Sequence, residues 1–366
     1  MAANTCALSD PQVEVDLSPA PCPAGPVNRW MPIGSRFDVC VIGAGPAGLA
    51  AASRLVDNGR DVLVLDRAAP RSRWGGETFT SAIRGPLSEL GCWEAFERAG
   101  HVAGYERQCA WGGEPQAENA LFQPQGPLWH VDRDRFDADL RRAVHQCGAV
   151  FESYRKLEDV RLDDGCWRVA LDGGRVTQAR YLVDATGRHR TLSRRLGARI
   201  EFHDRLVGLT AKVARDRTAA EIRSMLLQAT PFGWWYGAPV PDGHVLVLFT
   251  DADLAPSQLR HRLRPAAANS AFTDTEGAPG WLAVGDACAS HDPLCGWGVH
   301  RALANGLLAG DAIAETLATG VSAPVVTYRR HCREQYDRYL RGLTHWYSLE
   351  RRWPAAPFWA RRHHPR

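Results

Sequence analysis

Two apolar runs separated by a small-residue stretch open the patterned part of the chain. Phe37-Asp-Val-Cys-Val-Ile42 has the length and β-branched content of a strand. It runs straight into Gly43-x-Gly45-x-x-Gly48 and an alanine-rich segment that stops at Asn58-Gly59, a common helix end. Asp61-Val-Leu-Val-Leu-Asp66 is a second strand. A loop from Arg71 to Thr78 follows, then an amphipathic helix through Leu87, Leu90 and Phe96. Cys109–Trp111 and Leu128–His130 read as strands bracketing a Pro/Gln/Gly-rich connection. Phe136, Leu140 and Val144 mark one face of a further helix, with Asp132 as its N-cap.

Period-two patterning then dominates. It predicts strands at Val150–Tyr154, Val160–Leu162, Trp167–Leu171 and Arg175–Gln178, with a tight turn at Asp172-Gly-Gly. Tyr181-Leu-Val-Asp184-Ala-Thr-Gly187 is a separate strand ending in glycine. Leu206–Ala214 and Gly243–Thr250 flank Gly233-Trp-Trp-Tyr-Gly-Ala-Pro239, and Gly280–Asp286 leads into a long helix. This order predicts an α/β protein: a parallel, Rossmann-like sheet assembled from distant segments, with a mostly antiparallel sheet inserted beside a substrate cavity. The expected boundaries are a disordered leader at 1–35 and a discontinuous dinucleotide domain at 36–106, 131–200 and 270–323. The substrate domain would take 107–130 and 201–269, and a basic helical arm 324–366.

Composition trims the possibilities. A chain of 366 residues with 45% hydrophobic and 23% charged residues is globular and long enough for two domains. The net charge of +3 is too small for a nucleic-acid partner. It is unevenly spread: Pro324–Arg366 carries ten arginines against Glu334, Asp337 and Glu350, a net +7, which leaves −4 elsewhere. That arm would either dock an acidic partner or pack over the sheet as a solvated helix. The ten cysteines form no CxxC pair, so a reducing cytoplasm is expected, with no metal site. The leader holds five prolines before Val27 and no cation before Arg29, unlike a signal peptide. The apolar stretch Val299–Leu317 is interrupted by Asp311 and Glu315, which argues against a membrane span.

The glycine pattern has a specific chemistry. Gly43 allows the tight turn, Gly45 lets backbone approach a pyrophosphate, and Gly48 lets helix and strand pack closely. The helix start would hold the diphosphate, and Asp66 ends the second strand where a ribose hydroxyl needs an acceptor. Two further signals follow in order: Asp184-Ala-Thr-Gly187, and Gly285-Asp286 with Asp292-Pro-Leu-Cys-Gly296-Trp-Gly298. An acid after a strand can hold a ribityl chain, and glycines at a helix start can bring N–H groups against a flat, reducible ring. A nicotinamide dehydrogenase needs only the first signal.

With these motifs the chain resembles FAD-dependent monooxygenases of the p-hydroxybenzoate hydroxylase fold, and within them the halogenase-related branch. The strongest resemblance is to the LodB/QhpG-type maturation flavoproteins, which act on tryptophan during tryptophylquinone formation. It rests on Gly76-Glu77-Thr78, on Asp184–Arg188 with Arg194–Gly197, and on Asp204–Gly208. Gly233–Tyr236, Thr250–Leu254, Gly285–Ala302, Arg351–Pro354 and Phe358–Arg362 complete it, so it spans about 37–362. It implies that Gly43, Gly45, Ala47, Gly48, Asp66 and Arg67 hold the ADP half of FAD, with Thr78 nearby and Arg133 near the diphosphate. Asp286 would bind the ribityl chain, with Pro293, Gly296, Gly298 and Val299 beside the isoalloxazine. Flavin halogenases carry a lysine shortly after the acid corresponding to Glu77. Here that stretch reads Thr78-Phe-Thr-Ser-Ala-Ile-Arg84-Gly85, and Tyr236 replaces the second tryptophan of a paired-tryptophan motif.

Several residues carry two readings. Glu77 is either an acid or base beside the flavin or a shaper of its loop. His291 is a proton shuttle or a packing histidine. Trp234, Trp235 and Tyr236 either line an aromatic pocket or belong to the core. Cys288 and Cys295 are redox-active or simply buried. The reading adopted is an FAD-dependent monooxygenase that hydroxylates an aromatic small molecule or a tryptophan-containing peptide, in cofactor maturation or natural-product biosynthesis. Its electrons would come from NAD(P)H or a separate flavin reductase. The alternatives are an FAD-dependent reductase of carbon–carbon double bonds and a flavin-binding maturation partner without turnover.

Overall fold

The computed structural model describes residues 36–67, 76–119, 127–214, 224–240, 243–263 and 265–363. The expected leader at 1–35 and most of the loop opening at Arg71 lie outside the described residues.

The opening apolar runs become inner strands of a seven-stranded sheet. Its order is Val150–Tyr154, Val62–Arg67, Arg36–Ile42, Val176–Asp184, Cys166–Leu171 and Leu157–Asp163, with Trp281–Ala283 also on Val176–Asp184. The nucleotide half is parallel and the Cys166–Leu171 hairpin antiparallel. Val39, Val41 and Val64 face one core, whereas Cys40, Ile42, Leu63 and Leu65 face another. Burial on both faces explains why these strands read as unbroken apolar runs. The expected separate strands Arg175–Gln178 and Tyr181–Asp184 are one nine-residue strand. Residues 176–179 pair with the hairpin and 182–184 with Trp281–Ala283 on the same edge. The exposed Gln178 and Arg180 between them made it look like two.

Helix Pro46–Asp57 lies directly against helix Gly298–Thr319. Gly306 and Gly310 make that possible, since a Cβ at 306 would sit 2.4 Å from the Ala47 carbonyl oxygen. At 310 it would sit 2.7 Å from Arg54 Cβ. The single amphipathic helix expected through Phe96 is two, Arg84–Glu89 and Trp93–Arg98. They break at Gly91, whose φ is +64°.

A second seven-stranded sheet runs Pro265–Ala267, Leu206–Ala214, Gly243–Asp251, Gly233–Val240, Met225–Thr230, Glu106–Ala110 and Gln116–Asn119. Only the Met225–Thr230 and Glu106–Ala110 pair is parallel. Leu128–Asp132, expected partly beside this sheet, pairs instead with Gly76–Phe79 and Val102–Gly104. Asp132 does cap helix Arg133–Gln146, accepting from the N–H groups of Asp134 and Arg135.

The basic arm is packed into the body of the molecule. Helix Ala323–Leu349 buries Tyr328, Cys332, Tyr336, Tyr339, Leu343 and Tyr347 along one stripe. Arg361 reaches Asp251 and Asp253 at 2.8 and 2.7 Å, and Arg362 reaches Asp251 at 2.8 Å while stacking on Phe358. Arg333 pairs with Glu201, Arg352 with Glu350, and Arg329 donates to the carbonyls of Ala278 and Trp281. These guanidiniums are engaged internally, which removes them from the acidic-partner reading of the arm. No helix among the described residues is long and apolar enough to cross a membrane.

Candidate functional site

A cavity of about 950 Å³ lies where the carboxyl ends of the nucleotide strands meet the second sheet. That is the upper end of the range of roughly 300–1,000 Å³ usual for ligand sites. Gly43, Gly45, Ala47, Asp66 and Arg67 line one end. Glu77, Thr78, Arg133 and Asp286 flank the middle. Pro293, Gly296, Gly298, Val299 and His291 line the cavity together with Trp234 and Tyr236. Gly48 and Trp235 are the two expected site residues that do not line it.

The glycines show what the nucleotide end is shaped for. A Cβ on Gly43 would collide with the Ala185 carbonyl at 2.3 Å, and one on Gly48 with the Gly43 carbonyl at 2.1 Å. Gly45, by contrast, has nothing within 4 Å of that position, and neither have Gly296 and Gly298. Helix Pro46–Asp57 starts at Gly45 with no side-chain cap, and Gly298–Thr319 starts at Trp297 with none. Two helix starts with uncapped N–H groups therefore address one cavity, an arrangement that suits anionic groups. Asp66 is oriented by Arg141 at 2.6 Å, and Asp286 lies 3.3 Å from Arg188. An extended dinucleotide with a polyol linker fits this donor and acceptor set.

The opposite wall is one face of the second sheet. Alternation along Gly233–Val240 sends Trp234 and Tyr236 toward the cavity and Trp235 to the other side. There Trp235 packs with Leu209, Leu248, Ala255, Leu259 and Leu263. The expectation that Trp235 lines a substrate pocket is thus corrected by the period of the strand. Trp234 is almost fully buried, stacks on Phe249 with centroids 4.2 Å apart, and donates its indole N–H to Tyr347 at 3.0 Å. It supports the wall more than it offers a surface. Tyr236 keeps its ring on the cavity, with its hydroxyl 2.8 Å from Thr78.

Comparison with known proteins agrees with this geometry. The family described as FAD binding domain matches residues 36–238, more than half the chain. The chain belongs to that family.

This flavoprotein is 28% identical to LodB of Marinomonas mediterranea, named an FAD-dependent oxidoreductase, over 89% of the chain and 97% of that protein. It is 30% identical to a menaquinone reductase of Mycobacterium tuberculosis over 77% of the chain and 78% of the relative. Among solved structures it shares the fold of the myxobacterial chondrochloren halogenase CndH. The TM-score is 0.77 at 24% identity, covering 90% of this chain and 86% of that one. The peptidyl tryptophan dihydroxylase QhpG gives 0.72 at 23% identity, over 90% and 79%. The protein is an FAD-dependent oxidoreductase with the fold of the flavin monooxygenases and halogenases.

The two catalytic candidates of the flavoprotein sit differently. Glu77 is half-exposed and ion-paired to the buried Arg133, which also holds Asp137 at 3.2 Å. A carboxylate so engaged fixes the strand Gly76–Phe79 beside the helix it faces, which favours the loop-shaping reading. It also holds Arg133 between Glu77, which lines the cavity, and the buried Asp137. His291 presents its ring to the edges of Tyr336 and Tyr339. Burial, together with Arg301 and Arg188, holds its imidazole well below the usual range, so it is neutral at pH 7. That environment suits packing, not proton delivery. Cys295 accepts from Arg301, and Cys288 is buried against Cys332, so both are engaged thiols.

Sequence reasoning passed over Asp292 as a site residue, although it stands inside the quoted glycine motif. Its carboxyl is buried, accepts from the Leu294 N–H and from the Tyr347 hydroxyl at 2.7 Å, and is pushed up to about 6 by burial. Arg188, His130 and Phe249 were also missed. Arg188 immediately follows the Asp-Ala-Thr-Gly signal, so its neighbourhood was legible. His130 and Phe249 carry no local signal.

Proposed function

We propose that this flavoprotein is a monooxygenase that hydroxylates an aromatic ring, first of all the indole of tryptophan, free or within a peptide. The observation that carries the reading is the placement of Tyr236, Phe249 and the Trp234 edge on an apolar wall. That wall faces the glycine-rich turn Pro293–Val299 across one cavity, with no lysine among the described lining residues. Bound FAD, once reduced by NAD(P)H or a separate flavin reductase, would supply the activation of O2 and the oxygen atom transferred. The chain's own contribution is positional. The starts of helices Pro46–Asp57 and Gly298–Thr319 stabilise anionic groups, Asp66 and Asp286 accept hydrogen bonds from hydroxyl groups, and Arg133, held by Glu77 and Asp137, offers N–H donors near the diphosphate. The sheet wall excludes water and holds the substrate ring flat against the reacting face.

The test is 18O2 labelling. The FAD-loaded enzyme, supplied with reductant and a tryptophan-containing peptide or free tryptophan, should give product that gains 18O. Added chloride or bromide should give no halogenated product, because a lysine to activate hypohalous acid is missing. The reading fails if no indole compound gains oxygen or accelerates flavin reoxidation, and halide incorporation dependent on the protein would replace it with halogenation. The 30% identity to a menaquinone reductase favours one second reading, reduction of a carbon–carbon double bond. Anaerobic turnover of a polyprenyl quinone with no oxygen consumption would select it.

A further inference from the structure

Two indole N–H groups of residues that line the cavity are already engaged. The Trp111 indole N–H donates to the Trp346 carbonyl at 2.9 Å and the Trp234 N–H to Tyr347 at 3.0 Å. Tyr236 differs, because it lines the cavity and its hydroxyl heads a short chain leading away from it. Tyr236 Oη lies 2.8 Å from Thr78 Oγ1, and Thr78 Oγ1 lies 2.9 Å from Nδ1 of His130. Thr78 also lines the cavity, whereas His130 is buried behind it at 2% exposure. The seat for that imidazole is Gly104 on the adjoining strand, where a Cβ would stand 2.3 Å from His130 Nε2. The chain thus spans the seam between the large sheet and the strands Gly76–Phe79 and Leu128–Asp132.

Three groups in a row can run in either direction, but not equally well. The phenol is the strongest neutral donor of the three and an imidazole nitrogen the strongest acceptor. The polarised order is therefore Tyr236 O–H to Thr78, and Thr78 O–H to His130 Nδ1, each bond strengthening the next. Burial pushes the Tyr236 phenol up, so it keeps its proton to donate. With that proton committed to Thr78, whose backbone also hydrogen-bonds the phenol oxygen, what remains of Tyr236 for the cavity is a lone pair.

We propose that the Tyr236–Thr78–His130 chain sets the hydrogen-bond polarity of the substrate wall, making Tyr236 an acceptor that selects rings bearing an N–H donor. The inference rests on the aromatic-substrate reading and narrows it to indoles with a free ring N–H. His130 acts through its neighbours and is a positioning residue. In its neutral Nε2–H tautomer the wall accepts; the opposite tautomer would reverse the chain and make the wall donate.

The experiment compares N-acetyl-tryptophanamide with its 1-methylindole derivative, titrated into the FAD-loaded enzyme. The native enzyme should prefer the free N–H compound roughly tenfold or more, the expected cost of leaving a buried acceptor unpaired. Tyr236→Phe and Thr78→Val should reduce the preference to about twofold or less, whereas Thr78→Ser, which keeps the hydroxyl, should retain it. A preference that survives Tyr236→Phe would show that the wall reads the methyl bulk, and would overturn the proposal. The tautomer is read separately by 15N NMR of the imidazoles, with His130→Gln assigning the signal. An unprotonated Nδ1 that shifts in Thr78→Val is expected, and a protonated Nδ1 in the native enzyme overturns the chain direction. If neither compound binds to any form, the indole-substrate reading fails instead, and the NMR result still decides the chain.

Discussion

At the nucleotide end of the cavity, the three glycines of Gly43–Gly48 divide into two kinds. Gly43 and Gly48 press backbone against backbone, and Gly45 faces open space. At the sheet end, the residues of one strand divide in the same manner. Tyr236 faces the cavity and Trp235 the small core behind it. The first division is written in six consecutive residues and needs no partner to be understood. The second depends on which face of the strand meets the nucleotide sheet, and that is decided by segments distant in the sequence. Position along a motif therefore separates fold from ligand in one region. In the other, only the parity of a strand does so.

The largest effect should come from confusing the two kinds of glycine. Gly48→Val drives a side chain into the Gly43 carbonyl, and a backbone collision of this kind costs about 3 kcal/mol or more, so little folded protein should be recovered. A Cβ at Gly45 has no protein atom within 4 Å, so Gly45→Val meets open space first. Its apoprotein should fold with near-native circular dichroism and lose FAD, as read by flavin absorbance after gel filtration. Stoichiometric FAD in Gly45→Val would erase the distinction. Next come the two faces of the strand. Tyr236→Ala should cut kcat/KM for substrate oxygenation by at least about tenfold, with FAD content unchanged. Trp235→Ala should lose about 2 kcal/mol of stability in a denaturant titration and leave kcat/KM near native. If the two variants exchange these phenotypes, the facing of the wall is wrong.

A smaller effect sharpens the nucleotide end. Asp286→Ala removes one acceptor while Arg188 stays held by the Asn269 and His291 carbonyls, so FAD affinity should fall about tenfold while the fold persists. The smallest is a pH effect at Asp292. Its carboxyl titrates at 3.8 ordinarily and is raised to about 6 by burial, so the folded state holds this proton more tightly than the unfolded chain. The associated stability is present below pH 3.8 and is lost as pH rises through 6. Asp292→Asn removes that term. Its thermal midpoint should gain on the wild type between pH 4 and 6.5 and then run parallel to it. A constant difference across that range would mean that Asp292 is ionised throughout.

What was legible in the sequence follows the same division. The glycine loop, the acid ending Val62–Arg67 and the Gly285–Gly298 stretch are local, and each was found at its correct place in the fold. Strand parity was also present in the sequence, because Trp234 and Tyr236 are two apart and cannot share a face with Trp235. Nothing local says which face is inner, since both sides of this strand are apolar. The tyrosine stripe at 328, 336, 339 and 347 had helical spacing and could have signalled a buried arm. The arginine count concealed it. Arg361 and Arg362 find their partners at Asp251 and Asp253, about 110 residues earlier, and such pairings have no periodic trace. His130 was invisible for the same reason, because its partner is a threonine on another strand, 52 positions away.

The arm packed against the body has a consequence for how the protein is made. Trp281–Ala283 extends the nucleotide sheet, Gly298–Thr319 supplies the second helix start, and Trp359, Arg361 and Arg362 close over the Trp234 face and the Thr230 and Asp251 ends of the substrate sheet. All of these are synthesised well after the glycine loop. A nascent chain thus carries a half-built cofactor cradle and an uncovered apolar sheet face through most of its synthesis, the state most exposed to aggregation. Native folding must wait for Trp359–Arg362, so deleting residues 357–363 should lower the yield of folded protein sharply.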